Sequence, residues 1–257
     1  MNAWFRHLFP FGLVRASQIR SDLIRLGLTS SRATQLALRP STPAKLRHHN
    51  LDLFPDGTLA SPASIVDVGA NQGDWTAAML SVCRPTNILC AEPDPKLATK
   101  LRDRFRQQAF VAICETAVGE KAGFAELNLM ENPVLNSLRV PTEEMASIFP
   151  AFRVKESVRV KVTPLDVLTE KLGPITLLKI DAQGFEREIL AGAAATLART
   201  ECVLLEVNFQ PHYEGEAGFI ELDSLMQQHG FCIGNYSKPL GGQRQALLAD
   251  FLYVRKS

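Results

Sequence analysis

One stretch constrains the fold of this chain more than any other: Ser64-Ile65-Val66-Asp67-Val68-Gly69-Ala70-Asn71-Gln72-Gly73-Asp74-Trp75. Ile65, Val66 and Val68 make a short apolar run that reads as a buried strand, and Trp75, Met79 and Leu80 then fall at helical spacing. Between them lies a glycine turn, which lets backbone and ligand approach each other closely. The helix that follows offers unpaired N–H groups at its start. Asp67 near the strand end, with Gly69 and Gly73 four residues apart, points to a nucleotide-like cofactor in the pocket so formed.

From Ser64 onward the pattern alternates between strand and helix, as in a parallel sheet with helices on both faces. Strands are predicted at 65–68, Asn87–Ala91, Phe110–Cys114, Ile175–Ile180, Cys202–Val207, Phe231–Tyr236 and Phe251–Val254. Helices are predicted at 74–82, Pro95–Gln107, Pro164–Lys171, 185–198 and Phe219–His229. Phe124–Leu129 and Val158–Val162 depart from this, because they alternate apolar and polar residues as half-exposed strands do. Between them 130–157 reads as a long loop with a short helix near 142–149, and loops of that length are usually functional or disordered. Right-handed crossovers on this series give a doubly wound, Rossmann-like α/β sheet, with its binding crevice at the C-terminal strand ends.

The 257 residues suit one such domain over 51–257, preceded by a helical, basic extension over 1–50. That extension holds eight Lys/Arg against only Asp22, so the net charge of +1 hides a local excess. Its plain reading is a helix pair packed on the domain or on a second subunit. The sharper reading is peripheral membrane contact, with Trp4, Phe5, Phe9 and Phe11 beside the basic residues on an anionic surface. Pro40–Pro43 is the best linker, and Asp56-Gly57 a turn. The overall charge gives a nucleic-acid partner no support. Five scattered cysteines form no C-x-x-C pair and read as buried small hydrophobes in a reducing compartment. No apolar run has the length of a membrane span or the pattern of a signal peptide, so a cytoplasmic protein is expected.

A dinucleotide fingerprint would require G-x-G-x-x-G at the first turn. Here Gly69-Ala70-Asn71-Gln72-Gly73 lacks the second and third glycines, and the second is the one that admits a pyrophosphate. The spacing present suits a ligand without a pyrophosphate, such as S-adenosylmethionine. Nineteen residues beyond Gly73, at the end of the second strand, Glu92 is placed to accept hydrogen bonds from both hydroxyls of an adenosine ribose. NAD sites use the same device, so Glu92 speaks for adenosine more than for a methyl donor, with a solvated strand-end acid as its plain reading.

A second strand-tip constellation follows in Leu178-Lys179-Ile180-Asp181-Ala182-Gln183-Gly184-Phe185-Glu186. Asp181 is expected to enter the same crevice, with Lys179 on its strand face and Glu206 on the neighbouring strand tip. Two such carboxylates can raise each other's proton affinity, orient a hydroxyl, or bind a divalent cation with Asn208, although no residue spacing argues for a metal. His212, on the loop after that strand, is a candidate base for a hydroxyl.

These motifs together resemble the FkbM family of S-adenosylmethionine-dependent methyltransferases. The resemblance runs from about Ser64 to Arg255 and rests on Val66–Gly73, Glu92–Pro95, Ala117-Val118-Gly119 and Leu178–Glu186 with Leu190–Ala193. Asn136-Ser137-Leu138 and Ala249–Arg255 are weaker echoes. The family usually carries Glu where Gln183 stands, a loss of charge beside Asp181. The resemblance implies a seven-stranded sheet whose last strand is antiparallel, and methyl transfer usually to oxygen. It implies that Asp67, Gly69, Ala70, Asn71 and Gly73 hold the methionine end, and that Glu92 with Pro93 holds the ribose. Cys114–Ala117, with Thr116 and Ala117, would border the adenine, and Asp181 would line the donor site as well.

The function expected is O-methylation of a hydroxyl on a small molecule, sugar or glycolipid-like acceptor. Asp181, Glu206 and His212 are the candidate bases, and 130–157 with Asn136 and Ser137 the acceptor cover. Two alternatives stay open at this stage: an NAD-dependent oxidoreductase, disfavoured by the missing glycines, and a non-catalytic relative that binds cofactor or partner, toward which Gln183 leans.

Overall fold

The computed structural model describes residues 50–54, 58–60, 62–242 and 245–256. The expectations for the N-terminal extension, the Pro40–Pro43 linker and the Asp56-Gly57 turn lie outside them. A 3-10 turn at Leu51–Leu53 leads to strand β1 (Ser64–Val68), helix α1 (Asp74–Val82), β2 (Asn87–Ala91), α2 (Pro95–Phe105) and β3 (Val111–Cys114). Then come β4 (Ala117–Val118), β5 (Gly123–Met130), α3 (Glu143–Ile148), β6 (Val154–Thr163), α4 (Leu165–Leu168) and β7 (Ile175–Ile180). The chain closes with α5 (Glu186–Ala191), α6 (Ala194–Ala198), β8 (Thr200–Asn208), α7 (Phe219–Gln228), β9 (Phe231–Tyr236), β10 (Leu240–Gly242) and β11 (Gln245–Arg255).

The main sheet runs β3-β2-β1-β7-β8-β11, with β9 and β10 both on the outer side of β11. The first five strands are parallel, whereas β11 is antiparallel to β8. Seven strands therefore form the expected sheet with an antiparallel last strand, and short β10 adds an eighth to the hairpin. Every residue of β1 and β7 is buried, because helices cover both faces. One face packs Ile65, Leu177, Leu204 and Leu252 against Trp75 and Met79 of α1. The other packs Val66, Leu178, Val203 and Tyr253 against Ile189, Leu222 and Met226. Leu51, Leu53 and Phe54 join the first of these cores, so the described chain enters the domain at once.

The alternating segments form a separate three-stranded sheet, β4-β6-β5. Its apolar positions Leu127, Leu129, Val160 and Val162 turn to one side and bury a small core of their own. Helix 185–198 is instead two helices. Gly192 at the break packs so closely that a Cβ would lie 2.4 Å from the Gly119 carbonyl oxygen. The second helix takes its cap from Asp166, whose carboxylate accepts the N–H groups of Ala195 and Thr196 at 3.0 and 2.7 Å. Helix α2 starts more conventionally: Pro95 occupies its first turn and Asp94 accepts the Lys96 N–H at 2.8 Å. Among the described residues no helix is long and apolar enough to cross a membrane.

Candidate active site

The tips of β1, β2 and β7 are stitched together by backbone. The N–H groups of Gly69 and Ala70 donate to the Ala91 carbonyl at 3.0 and 3.1 Å, and the Asp181 N–H donates to Val68 at 3.2 Å. Gly69 has φ +75°, and a Cβ there would sit 1.9 Å from the Asp181 carbonyl oxygen. Only glycine meets both conditions, so the glycine of the opening motif first serves strand packing. Gly73, at φ +83°, precedes α1 and lies beneath Leu101 and Phe105 of α2.

Above these tips opens a cleft that is partly enclosed and partly faces solvent. Gly69, Asn71, Glu92, Pro93, Thr116 and Ala117 line one part of it. Asp181 and Gln183 form the β7 side, and Pro133, Val134, Asn136, Ser137 and Leu138 bring the 130–157 segment over it. Thus Gly69, Asn71, Glu92, Pro93, Thr116, Ala117 and Asp181, all candidate cofactor-binding residues in the sequence, are brought together in the lining of one cleft. Asp67, Ala70, Gly73, Glu206 and His212 are not among the residues lining the cleft.

Asp67 is fully buried under α1. Its carboxylate accepts the Thr76 hydroxyl at 2.6 Å and stands 3.3 Å from the Lys179 ammonium. Lys179 also reaches Asp181 at 3.3 Å. Burial opposes the charge on Lys179, but the two flanking carboxylates outweigh it and hold the ammonium protonated well above the usual lysine range. Asp67 therefore anchors Lys179 from below, and its carboxylate does not face the cleft.

Glu92 is 4% exposed and accepts two backbone N–H groups, from Asn71 at 2.7 Å on one oxygen and from Asp94 at 2.9 Å on the other. Burial pushes its acid up to about 7, against the pull of those two donors. Each oxygen keeps a lone pair for a further donor. Glu186 plays a matching part beneath the second turn, where one oxygen accepts the N–H groups of Ala182 at 3.0 Å and Gly184 at 3.3 Å. Burial pushes its acid up to about 7 as well.

Register places Asp181, Glu206 and Asp250 in a row across the sheet. Ile180 pairs with Leu205, so Asp181 and Glu206 stand one step beyond on adjacent strands, and Asp250 is paired with Glu206. Burial, then Asp181, Asp250 and Glu186, raise the Glu206 acid well above the carboxylate range, with Lys179 offsetting only part. Burial also lifts Asp250 to about 7, although the Asn50 amide donates to it at 2.6 Å.

His212 is 6% exposed, with its ring edge-on to Phe152 at 5.7 Å. Burial pushes its imidazole down to about 4, and its Nε2 has no hydrogen-bond partner among the described residues. The ring thus stays neutral in a largely apolar setting. The backbone does more: His212 and Tyr213 donate their N–H groups to Glu216 at 2.8 and 3.1 Å, which shapes the loop after β8.

Two residues of this site, Arg139 and Tyr213, carry no signal in the sequence. Arg139 donates to the Gly184 carbonyl at 2.6 Å, to the Glu214 carbonyl at 3.0 Å and to the Glu188 carboxylate at 2.7 Å. Ser137 donates its hydroxyl to the Gln183 carbonyl at 2.6 Å, so both residues tie the 130–157 segment to the Asp181–Gly184 turn. Tyr213, fully buried, sets its hydroxyl 3.0 Å from the Gln183 side chain. These contacts join residues 30 to 75 apart and follow no local pattern. Among the described residues, no group of three or more His, Cys, Asp or Glu is arranged to hold a metal ion.

A family model, the methyltransferase FkbM domain, matches residues 67–233. Over 161 residues the chain is 26% identical to the 2-O-methyltransferase NoeI of Sinorhizobium fredii (strain NBRC 101917 / NGR234), covering 59% of this chain and 66% of that protein. The crystal structure of a methyltransferase FkbM from Methylobacillus flagellatus KT superposes with a TM-score of 0.51 at 14% identity. That match covers 92% of this chain and 59% of the other, and at this identity it speaks for the fold alone. The chain thus spans just under two thirds of the length of the first of these proteins and about three fifths of the second.

Proposed function

The chain belongs to the methyltransferase FkbM domain family, and on that premise we propose that it is an S-adenosylmethionine-dependent O-methyltransferase for a hydroxyl on a small molecule, sugar or glycolipid-like acceptor. Glu92 carries this reading. A buried carboxylate at the tip of β2, with one lone pair free on each oxygen and lining the cleft, is matched to the paired hydroxyl donors of an adenosine ribose. Pro93, Thr116 and Ala117 would flank the base, and the backbone of the Gly69–Asn71 turn would meet the methionine end. The Asp67 carboxylate, engaged by Thr76 and Lys179, supports that turn from beneath. The name of the S. fredii relative favours oxygen as the methylated atom.

When bound, the cofactor supplies an electrophilic methyl on a sulfonium. The chain must align an acceptor hydroxyl with it and take up the proton. Asp181 is the preferred base because, of the three candidates, its carboxylate is the one in the cleft wall. Glu206 lies behind it, and His212 is packed against Phe152. The 133–138 segment would cover the acceptor and exclude water.

Calorimetric titration of the full chain with S-adenosylmethionine tests the donor assignment. Saturable binding is expected, weakened roughly tenfold or more by Glu92→Ala as hydrogen bonds to a charged partner are lost. Absence of binding would overturn the reading. A screen that follows labelled methyl into candidate hydroxyl acceptors then tests the transfer, with Asp181→Asn expected to lower turnover far more than cofactor affinity. Cofactor binding with no transfer to any acceptor would favour the non-catalytic alternative.

A further inference from the structure

We propose that Gln183 is a positioning residue of this site: its amide, locked by Tyr213, fixes the Asp181 carboxylate at the cleft wall and joins it to Glu206 by donating a hydrogen bond to each. The proposal deepens the methyltransferase reading and rests on it for its catalytic meaning.

Gln183 has φ +53° and is followed by Gly184 at φ +90°, so the chain folds back on itself at this point. A non-glycine residue in the left-handed region is held there by its surroundings. Here the Ser137 hydroxyl bonds the Gln183 carbonyl, and Glu186 accepts the N–H groups on either side of it. The fold-back returns the side chain over the tips of β7 and β8. Its Nε2 lies 2.8 Å from Asp181 Oδ1 and 3.2 Å from Glu206 Oε1, so two N–H bonds meet two carboxyl oxygens.

At the other end of the amide, Gln183 Oε1 and the Leu135 carbonyl oxygen share the single proton of the Tyr213 hydroxyl, at 3.0 and 2.9 Å. Turning the amide over would set its carbonyl oxygen against both acids. Asp181 is consequently held at both oxygens, by Gln183 on Oδ1 and by Lys179 on Oδ2. The charged and titratable groups around the amide are Asp181, Lys179, Glu206, Asp250 and Glu186, with Asp67 behind Lys179, the Tyr213 phenol above, and Glu216 beside Tyr213 and Glu186. In this acid-rich row with a single ammonium, a glutamate at 183 would add a further negative charge within hydrogen-bond distance of two carboxyls. The glutamine supplies donors there without bringing charge.

The test uses the full chain with Gln183→Glu, Gln183→Met and Tyr213→Phe, each checked for folding by circular dichroism. Carboxyl carbon NMR follows the titration of Glu206, a readout that needs no acceptor. Gln183→Met should move the Glu206 midpoint upward by about one pH unit as a donor is lost. Gln183→Glu should move it further, because a like charge is added, and Tyr213→Phe should move it in the same direction by less. With an acceptor found, the acid limb of the pH–rate profile should shift in the variants while S-adenosylmethionine affinity stays within about twofold. Superimposable Glu206 titrations in the wild type and the folded variants would overturn the proposal. Should Gln183→Glu not fold, the other two variants decide. Failure of the wild type to bind S-adenosylmethionine would instead strike the parent reading and leave the carboxyl titration to judge Gln183.

Discussion

Gly69→Ala puts the packing of the strand tips to a direct test. An alanine at φ +75° pays about 1–2 kcal/mol for the left-handed conformation. Its Cβ would also fall 1.9 Å from the Asp181 carbonyl oxygen, where real Cβ contacts stay beyond 3.0 Å, so that oxygen must retreat by roughly 1 Å. The obstacle is backbone, and it cannot rotate aside as a side chain would. The Asp181 N–H bond to Val68 would be strained with it, a further loss of about 1 kcal/mol. Together these give about 3 kcal/mol of destabilisation, or about 6–12 °C in Tm for a domain of this size. Urea unfolding followed by circular dichroism measures it, with Gly123→Ala as the control, since a Cβ at Gly123 meets nothing within 4 Å. That control should change stability by less than about 1 kcal/mol, in the stabilising direction if anything. A Gly69→Ala loss below about 1 kcal/mol would refute the claim that β1 and β7 close on this glycine.

Other substitutions separate the remaining roles. Glu186, whose acid rises from 4.5 to about 7 on folding, binds more protons folded than unfolded across that window, so its contribution to stability falls as pH rises from 4.5 to 7. Glu186→Gln keeps an oxygen for both turn N–H groups and removes this dependence; unfolding free energies of the variant and wild type should diverge by up to roughly 3 kcal/mol between pH 4.5 and 8, and parallel curves would rule the assignment out. Arg139→Lys loses the fork that spans Gly184, Glu214 and Glu188. Hydrogen exchange at Asn128 and Ser137, which pair across the base of the cover, should speed up about tenfold, and unchanged protection would mean that Arg139 does not fasten the segment. Thr76→Val removes the hydroxyl from Asp67 and should cost about 1–3 kcal/mol in chemical denaturation; a neutral outcome would mean that Lys179 alone satisfies that carboxylate.

The central strands were legible because they are buried on both faces and read as apolar runs between turn residues. Asn87–Ala91 and Ile175–Ile180 match the structure residue for residue, as does the more exposed outer strand Phe231–Tyr236. Legibility failed where tertiary contact overrode local pattern. The apolar spacing of 185–198 continues through Gly192, but the close approach to Gly119 and the cap from Asp166 divide the helix. The candidate site shows the same split. Glu92 and Asp181 were found because a strand tip fixes where its residue emerges. Arg139 and Tyr213 were not, because each reaches the site from a segment whose position depends on the whole fold.

Asp67 shows why a motif can mark a pocket without every member of it touching a ligand. Its neighbours alternate across β1, so Asp67 shares the face of Ile65, which α1 covers. Register sets it directly beside Lys179, one step below the row of Asp181, Glu206 and Asp250. A lone ammonium buried there would be costly, and a lone carboxylate equally so; together, with the Thr76 hydroxyl, they satisfy each other. The pair then leaves Lys179 its second bond, to Asp181 at the cleft wall. The acid of the opening motif thus acts on the cleft through two intermediaries on one sheet face. A carboxylate at the end of a first strand indicates where a site lies, whereas the covering helix decides whether that carboxylate faces it.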